Sequence, residues 1–85
     1  MKLEDTTKMM CSKNYKDRFK AEYAQLVNRY NALCAMLNKW TMGKLDFTPK
    51  CDKATLMAQR DAMAKYIDIL EARAEMENIS LAGLQ

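Results

Sequence analysis

Aromatic and basic side chains that stand close together along the chain are the residues best suited to chemistry. Tyr15 precedes Arg18 by three positions, and Trp40 stands beside Lys39 and near Lys44. Aromatic rings stack on nucleobases and guanidinium groups grip phosphate, so such pairs are typical of a nucleotide pocket. The alternative is that the aromatic residues only fill a helical core. Tyr23, Tyr30 and Trp40 favour this second interpretation, because they share one helical face.

Other kinds of site find little support. The chain has no histidine, the commonest metal ligand and the usual general base near neutral pH. Cys11, Cys34 and Cys51 are too far apart for a zinc site and odd in number, so we expect reduced thiols. No nucleophile and base stand at a recognisable spacing. We therefore expect no enzyme, no cofactor and no metal.

A long helix must position most of these groups. Seven apolar residues recur at alternating steps of four and three, which indicates a helix that packs along another helix. They are Phe19, Tyr23, Leu26, Tyr30, Leu33, Leu37 and Trp40. A second helix carries one apolar stripe of Leu56, Met63, Ile67, Leu70 and Ala74, and a displaced one of Ala62, Ile69 and Met76. Two stripes need two partners, so we expect packing within the chain and against another subunit.

Capping residues set the predicted boundaries. Asn14 is a suitable N-cap for the first helix, and Gly43 supplies a left-handed residue to end it. Thr48 and Asp52 are both ordinary caps for the second helix, and the sequence leaves this choice open. The predicted organisation is a flexible tail at 1–13, a helical domain at 14–79 and a tail at 80–85. Within the domain, helix 1 covers about 14–42, the linker 43–51 and helix 2 about 52–78.

Charge predicts how the helices meet. Residues Lys13 to Lys20 hold four bases and one acid, whereas Asp68 to Glu77 hold four acids and one base. An antiparallel hairpin places these segments side by side, which selects orientation more than it adds stability. Basic residues paired in this way are poor phosphate ligands for a duplex, so we expect no DNA or RNA binding.

Length and composition give the broad class. A single core of 85 residues contributes only about 3–5 kcal/mol of net stability, so help from other subunits is expected. With 49% hydrophobic residues, two glycines and one proline, the predicted class is all-α. No apolar run reaches the length of a membrane span or of a signal-peptide core, which predicts a soluble protein retained where it is made. The predicted fold is an antiparallel hairpin of two long helices that forms a homo-oligomer.

Three segments of the sequence resemble a family of small proteins from tailed phages and prophages, crAss-like phages among them. The segments are Tyr15 to Leu33, the linker Leu45-Asp46-Phe47-Thr48-Pro49, and Gln59 to Ala74. The resemblance covers about residues 15–79 and implies a phage protein with a helical hairpin, acting in the host cytoplasm.

By size, architecture and phage origin the chain is also similar to phage sponge proteins that counter CBASS and Thoeris defences. Those proteins form compact oligomers and sequester cyclic nucleotides or ADP-ribose derivatives between subunits. The resemblance implies a small anionic nucleotide signal as the partner, bound without cleavage. The expected contacts are Arg18 and Arg73 to phosphate, Tyr15 and Phe47 to the base, and Asp46, Thr48 and Tyr66 to ribose or base edges.

The expected ligand contacts are at both ends of the hairpin. In an antiparallel arrangement, Asp46, Phe47 and Thr48 lie far from Arg18 and Arg73. A pocket that uses both sets requires a second subunit. The alternative function is a non-enzymatic interaction or assembly protein, in which the aromatic residues anchor another phage or host protein.

Overall fold

The computed structural model describes residues 1–85 and contains helices but no strand, which confirms the predicted all-α class. A single 3₁₀ turn at Leu3–Asp5 comes first. Three α-helices follow it: α1 at Thr6–Met10, α2 at Tyr15–Thr41 and α3 at Lys53–Met76.

Side-chain caps explain where the long helices begin and end. The Asn14 side chain accepts a hydrogen bond from the Lys16 backbone N–H at 2.9 Å, which satisfies a free donor in the first turn of α2. Gly43 follows the end of α2 with φ of 69°, a left-handed conformation that glycine adopts without strain. Asp52 caps α3 by accepting from the Thr55 N–H at 3.1 Å. Of the two caps that the sequence allows, the protein uses Asp52.

Contacts between α2 and α3 pair early residues of one helix with late residues of the other. Tyr15 at the start of α2 bonds to Glu77 just beyond α3, whereas Thr41 at the end of α2 accepts from Lys53 at the start of α3. The two helices are therefore antiparallel. This orientation brings the basic start of α2 beside the acidic end of α3.

The core occupies the end of the molecule where α2 begins and α3 ends. Within the predicted seam, Phe19, Tyr23 and Leu37 are buried and the remaining four side chains are half-buried. The main cluster consists of Phe19, Tyr23, Ala24, Val27, Leu70, Ala74, Ile79 and Leu84. Toward the linker Leu37 is the only buried residue, so that half of the helix pair has little core of its own.

Residues 1–13 contain helix where the sequence predicted a flexible tail. Thr6 is fully buried, donates to the Leu3 carbonyl at 2.6 Å and accepts from the Gln25 side chain of α2 at 2.8 Å. A helix of five residues is too short to show a hydrophobic period, so the pattern gave no sign of it. The flexibility of the segment stays a prediction.

The C-terminal residues also pack on the core. Asn78 has φ of 55°, which turns the chain after α3, and Ile79 and Leu84 are then buried against the cluster. The sequence treated residues 80–85 as a tail because they have no helical period. Leu84 instead closes the core through a turn.

Candidate functional site

Arg73, at the end of α3, is held by three neighbours. Its Nε donates to a Glu77 carboxylate oxygen at 3.1 Å, and its Nη2 donates to the Tyr15 hydroxyl at 2.6 Å. The guanidinium carbon lies 5.0 Å from the centre of the Phe19 ring, within cation–π range. An arginine has five N–H donors, so two bonds leave three for a ligand.

Arg73 and Arg18 both line one small cavity of about 270 Å³. Its lining consists of Met10, Tyr15, Arg18, Phe19, Glu22 and Arg73. Its two guanidinium groups can bind a phosphate. The phenol and the edge of the buried Phe19 ring can contact a planar group next to that phosphate. Pockets for small molecules usually measure about 300–1,000 Å³, so this cavity is slightly small for a whole nucleotide.

Arg18 reaches the cavity from the first turns of α2. Its Nη1 donates to the Ser12 carbonyl at 2.8 Å, in the connection between α1 and α2. The bond fixes one edge of the guanidinium, and four of its five donors remain. Arg18 and Arg73 therefore approach the same cavity from different helices, as expected for an antiparallel pair.

Electrostatic coupling between Tyr15, Arg73 and Glu77 keeps two of these groups charged. The Tyr15 hydroxyl donates to Glu77 at 2.8 Å, and this bond, followed by that from Arg73, lowers the pKa of Glu77 below its ordinary value. The same carboxylate raises the pKa of Arg73 and of Tyr15. Near neutral pH, Arg73 is a cation, Glu77 is its counter-ion and Tyr15 is a neutral phenol that joins them.

Tyr66 stands beside this cavity without lining it. Its hydroxyl donates to the carboxylate of Glu22, which does line the cavity, and its side chain is exposed. In this conformation Tyr66 orients Glu22. A direct contact with a ligand stays a prediction.

Phe47 and Thr48 lie at the other end of the molecule. They line a second cavity, of about 170 Å³, together with Trp40, Gly43, Leu45 and Pro49. Lys53 borders this end, with its ammonium 5.9 Å from the Trp40 ring centre and 2.9 Å from the Thr41 hydroxyl. Asp46 is in the same linker but does not line the cavity. The predicted residues thus form two groups, with Tyr15, Arg18, Tyr66 and Arg73 on one side.

A third cavity, of about 610 Å³, is the largest but holds none of the predicted site residues. It is bordered by the N-terminal segment and the start of α2. Its charged side chains are Asp5, Lys8 and Asp17. Two carboxylates against one amine disfavour an anion there.

Two further properties limit the chemistry of the chain. No three His, Cys, Asp or Glu side chains lie close enough together to hold a metal ion. No helix has the combination of length and apolar character needed to cross a bilayer.

Several residues in or beside the cavity that Arg18 and Arg73 line were not among the predicted site residues. Phe19 was assigned to the core, where it is indeed buried, but its ring also supports Arg73. Glu77 was missed, although its spacing of four from Arg73 is a common ion-pair spacing on a helix. Met10 reaches the cavity from α1, and Glu22 reaches it from α2. No local pattern in the sequence shows that these two residues meet.

A family model described as Sequestin matches residues 13–76, which is most of the chain. The matched range includes all seven predicted site residues and ends one residue before Glu77. No curated protein and no solved structure matches the chain.

Proposed function

The chain belongs to the Sequestin family, and from this premise we propose that it captures a small molecule and holds it unchanged. The family description supports sequestration in general. The chemistry of the cavity supports a narrower statement about the ligand. We therefore propose a small anionic nucleotide, of the cyclic or ADP-ribose type, as the molecule that is withheld.

The observation that carries this proposal is the placement of Arg73. Its guanidinium is stacked near Phe19 and keeps three N–H donors, in a cavity that Arg18 also lines. Guanidinium groups bind phosphate through two parallel hydrogen bonds, with more geometric specificity than an ammonium provides. The adjacent Tyr15 ring, which is 45% exposed, offers a face for a nucleobase.

Binding without cleavage is part of the proposal, and the composition of the cavity lining supports it. Its lining has one carboxylate, Glu22, and no second acid, cysteine or histidine. Glu22 already accepts a hydrogen bond from Tyr66. The arrangement favours a protein that withholds one ligand molecule per site. Its effect therefore depends on how many protein molecules are made.

Phage anti-defence is the biological role that fits this chemistry. Cyclic nucleotides and ADP-ribose derivatives are intracellular signals, and a protein that lowers their free concentration would act in the host cytoplasm. The proposed working form is a homo-oligomer of the antiparallel helical hairpin. In the half of the helix pair nearest the linker, only Leu37 is buried. This small core supports the proposal that a further subunit packs there.

Calorimetry tests the ligand class. Purified protein is titrated with a panel of cyclic dinucleotides, cyclic ADP-ribose isomers and AMP. We expect saturable heat from at least one cyclic or ADP-ribose compound and a stoichiometry near one per site. Absence of heat from every compound, with the protein folded by circular dichroism, would contradict the proposal.

Release of the ligand tests whether it stays intact. The complex is denatured by heat, and the supernatant is analysed by chromatography and mass spectrometry. A sponge returns the original compound in full yield, whereas an enzyme returns a product of different mass.

One observation favours a second candidate function. Ten large hydrophobic side chains are more than a third exposed, among them Phe47 and Met76. Where such side chains share one face, as Ile69 and Met76 do on α3, they are typical of surfaces that bind proteins. A stoichiometric phage or host protein copurifying from infected cells, without a nucleotide, would favour this assembly function.

A further inference from the structure

The outer face of α3 is apolar and faces away from the core. Leu70 and Ala74 are almost fully buried, whereas Ile69 is 54% and Met76 is 79% exposed. Ala62 lies two turns before Ile69, at the spacing of seven residues that keeps side chains on one face of a helix. A row on the solvent side of α3, displaced around the helix axis from the core stripe, therefore runs through Ala62, Ile69 and Met76 over about 21 Å.

Small residues make this face suitable for another helix. Ala58 and Ala72 border the same row, and both are exposed. Helices approach to about 8 Å when the side chains between them are small. The large side chains Ile69 and Met76 can then insert beside the alanines of a second helix.

Charge along α3 selects the partner and its direction. Residues 53–66 contain Lys53, Arg60 and Lys65 against Asp61, a balance of +2. Residues 67–77 have the opposite balance of −3, from one base, Arg73, and four acids, Asp68, Glu71, Glu75 and Glu77. A parallel copy of α3 would place like charges together, whereas an antiparallel copy places each half beside its complement. Two-fold symmetry, the commonest in oligomers, provides this arrangement.

We propose that a second copy of this chain docks on the outer face of α3, with the two α3 helices antiparallel about a two-fold axis near their centres. The interface is the row Ala62, Ile69 and Met76 with its alanine borders. Lys65 on the basic half and Asp68 and Glu75 on the acidic half form no ion pair within the chain, so they are free to pair across the interface.

The same geometry joins the two halves of the candidate site. α3 has 24 residues and a length of about 36 Å, with the Phe47 linker before its first residue and Arg73 in its last turn. Antiparallel docking brings the beginning of one α3 to the end of the other. Phe47 of the second copy then lies at the same end as Arg73 of the first. This consequence rests on the proposed function, whereas the interface itself does not.

The interface is tested by mass, without any ligand. We compare wild-type protein with Ile69→Glu and with a control, Met42→Glu, which alters a 62% exposed side chain outside α3. Native mass spectrometry should give twice the 9.8 kDa chain mass for wild type and control, or a multiple of this dimer. Ile69→Glu should give a species of lower mass than wild type, a monomer if wild type is a dimer, with unchanged helical circular dichroism, because Ile69 is outside the core cluster. An Ile69→Glu protein that keeps the wild-type mass would overturn the proposal.

The shared site is tested with heterodimers isolated through two different affinity tags. The first pairs an Arg73→Ala chain with a Phe47→Ala chain, and the second pairs wild type with a doubly substituted chain. Binding of cyclic di-AMP and of cyclic ADP-ribose is measured by equilibrium dialysis, and the compound that wild type binds is used for comparison.

Sites shared between copies give opposite results in the two heterodimers. The first keeps one intact site and binds half the wild-type amount, and the second binds none. If each site lies within one chain, the first binds none and the second binds half, which overturns the shared site. Half occupancy in both would exclude Phe47 from the site and also overturn it. If wild type binds neither compound, the proposed function loses support, while the mass measurement still decides the interface.

Discussion

The Tyr15 hydroxyl accepts a hydrogen bond from Arg73 at 2.6 Å, which ties the first residue of α2 to the last turn of α3. The two side chains are 58 positions apart in the chain. Their contact closes the cavity end of the helix pair and fixes one edge of the guanidinium. A guanidinium held by such a contact loses less entropy on binding, so the contact should favour affinity for the proposed ligand.

Replacing Arg73 with lysine should weaken nucleotide binding much more than it affects folding. Lysine keeps the positive charge but not the planar set of donors. Loss of one or two hydrogen bonds to a charged group costs about 1.5–3 kcal/mol, or roughly 10- to 150-fold in Kd. Arg29→Lys, at an exposed position away from the cavity, is the matched control for calorimetry. Equal affinities for both variants would remove Arg73 from the site.

Replacing Glu77 with glutamine should strengthen binding of an anion. The carboxylate is the counter-ion of Arg73, and it opposes a phosphate that approaches the same guanidinium. Two unit charges at about 4 Å in water interact by about 1 kcal/mol, which corresponds to roughly a fivefold lower Kd. Glu4→Gln, an exposed acid of the 3₁₀ turn without an ion pair in the chain, should change Kd less. Weaker binding by Glu77→Gln would show instead that Glu77 mainly holds Arg73 in position.

Replacing Phe47 with alanine should lower affinity and leave stability almost unchanged. The ring is 54% exposed and is outside the core cluster, so its loss opens no interior cavity. Stacking of one base on an aromatic ring contributes about 1–3 kcal/mol. Calorimetry and thermal unfolding are measured on the same preparation, with the exposed Met42→Ala as control. A large fall in melting temperature together with unchanged Kd would contradict the assignment.

Stability should fall between about pH 10 and pH 12 because of Tyr23. Burial, followed by a hydrogen bond to Glu71, raises the pKa of Tyr23 from 10.0 to about 12. The neutral phenol therefore favours the folded state below about pH 10, and this contribution is lost as pH rises through the folded pKa. The loss in free energy of unfolding is about 2 kcal/mol by pH 12. In urea titrations, Tyr23→Phe should lack this part of the pH dependence, and an identical dependence in both proteins would contradict it.

Replacing Leu84 with alanine should destabilise the protein by about 2–4 kcal/mol. Leu84 is 7% exposed in the main cluster, and truncation of a buried leucine costs transfer energy and leaves a cavity. Leu3→Ala, at a 42% exposed position, is the control. Urea midpoints that differ little between the two variants would mean that the C-terminal residues do not support the core.

Local signals explain what the sequence predicted well. Asn14 and Asp52 cap helices through bonds to residues two or three positions away, so they can be recognised without tertiary structure. The heptad pattern also identified Phe19, Tyr23 and Leu37 as buried, but it did not identify the buried residues Ala21, Ala24 and Val27 beside the seam. The partition of Arg73 and Phe47 to opposite ends also followed from antiparallel packing.

Features set by tertiary contacts could not be predicted in the same way. Thr6 is polar and stands in an aperiodic segment, yet it is buried through a bond to Gln25. Leu84 reaches the core only because Asn78 turns the chain back. The bond from Tyr15 to Glu77 spans 62 positions and depends on the register of two helices, which composition and spacing do not determine.

Native mass spectrometry of the protein mixed with cyclic ADP-ribose or cyclic di-AMP tests the central claim most directly. It reports the number of subunits and the mass of any retained ligand in one spectrum. We predict a dimer, or a multiple of it, that retains one of these compounds at its unaltered mass, and Arg73→Ala should not retain it. A folded protein that retains neither compound would contradict the account, as would a bound species whose mass shows that the nucleotide was cleaved.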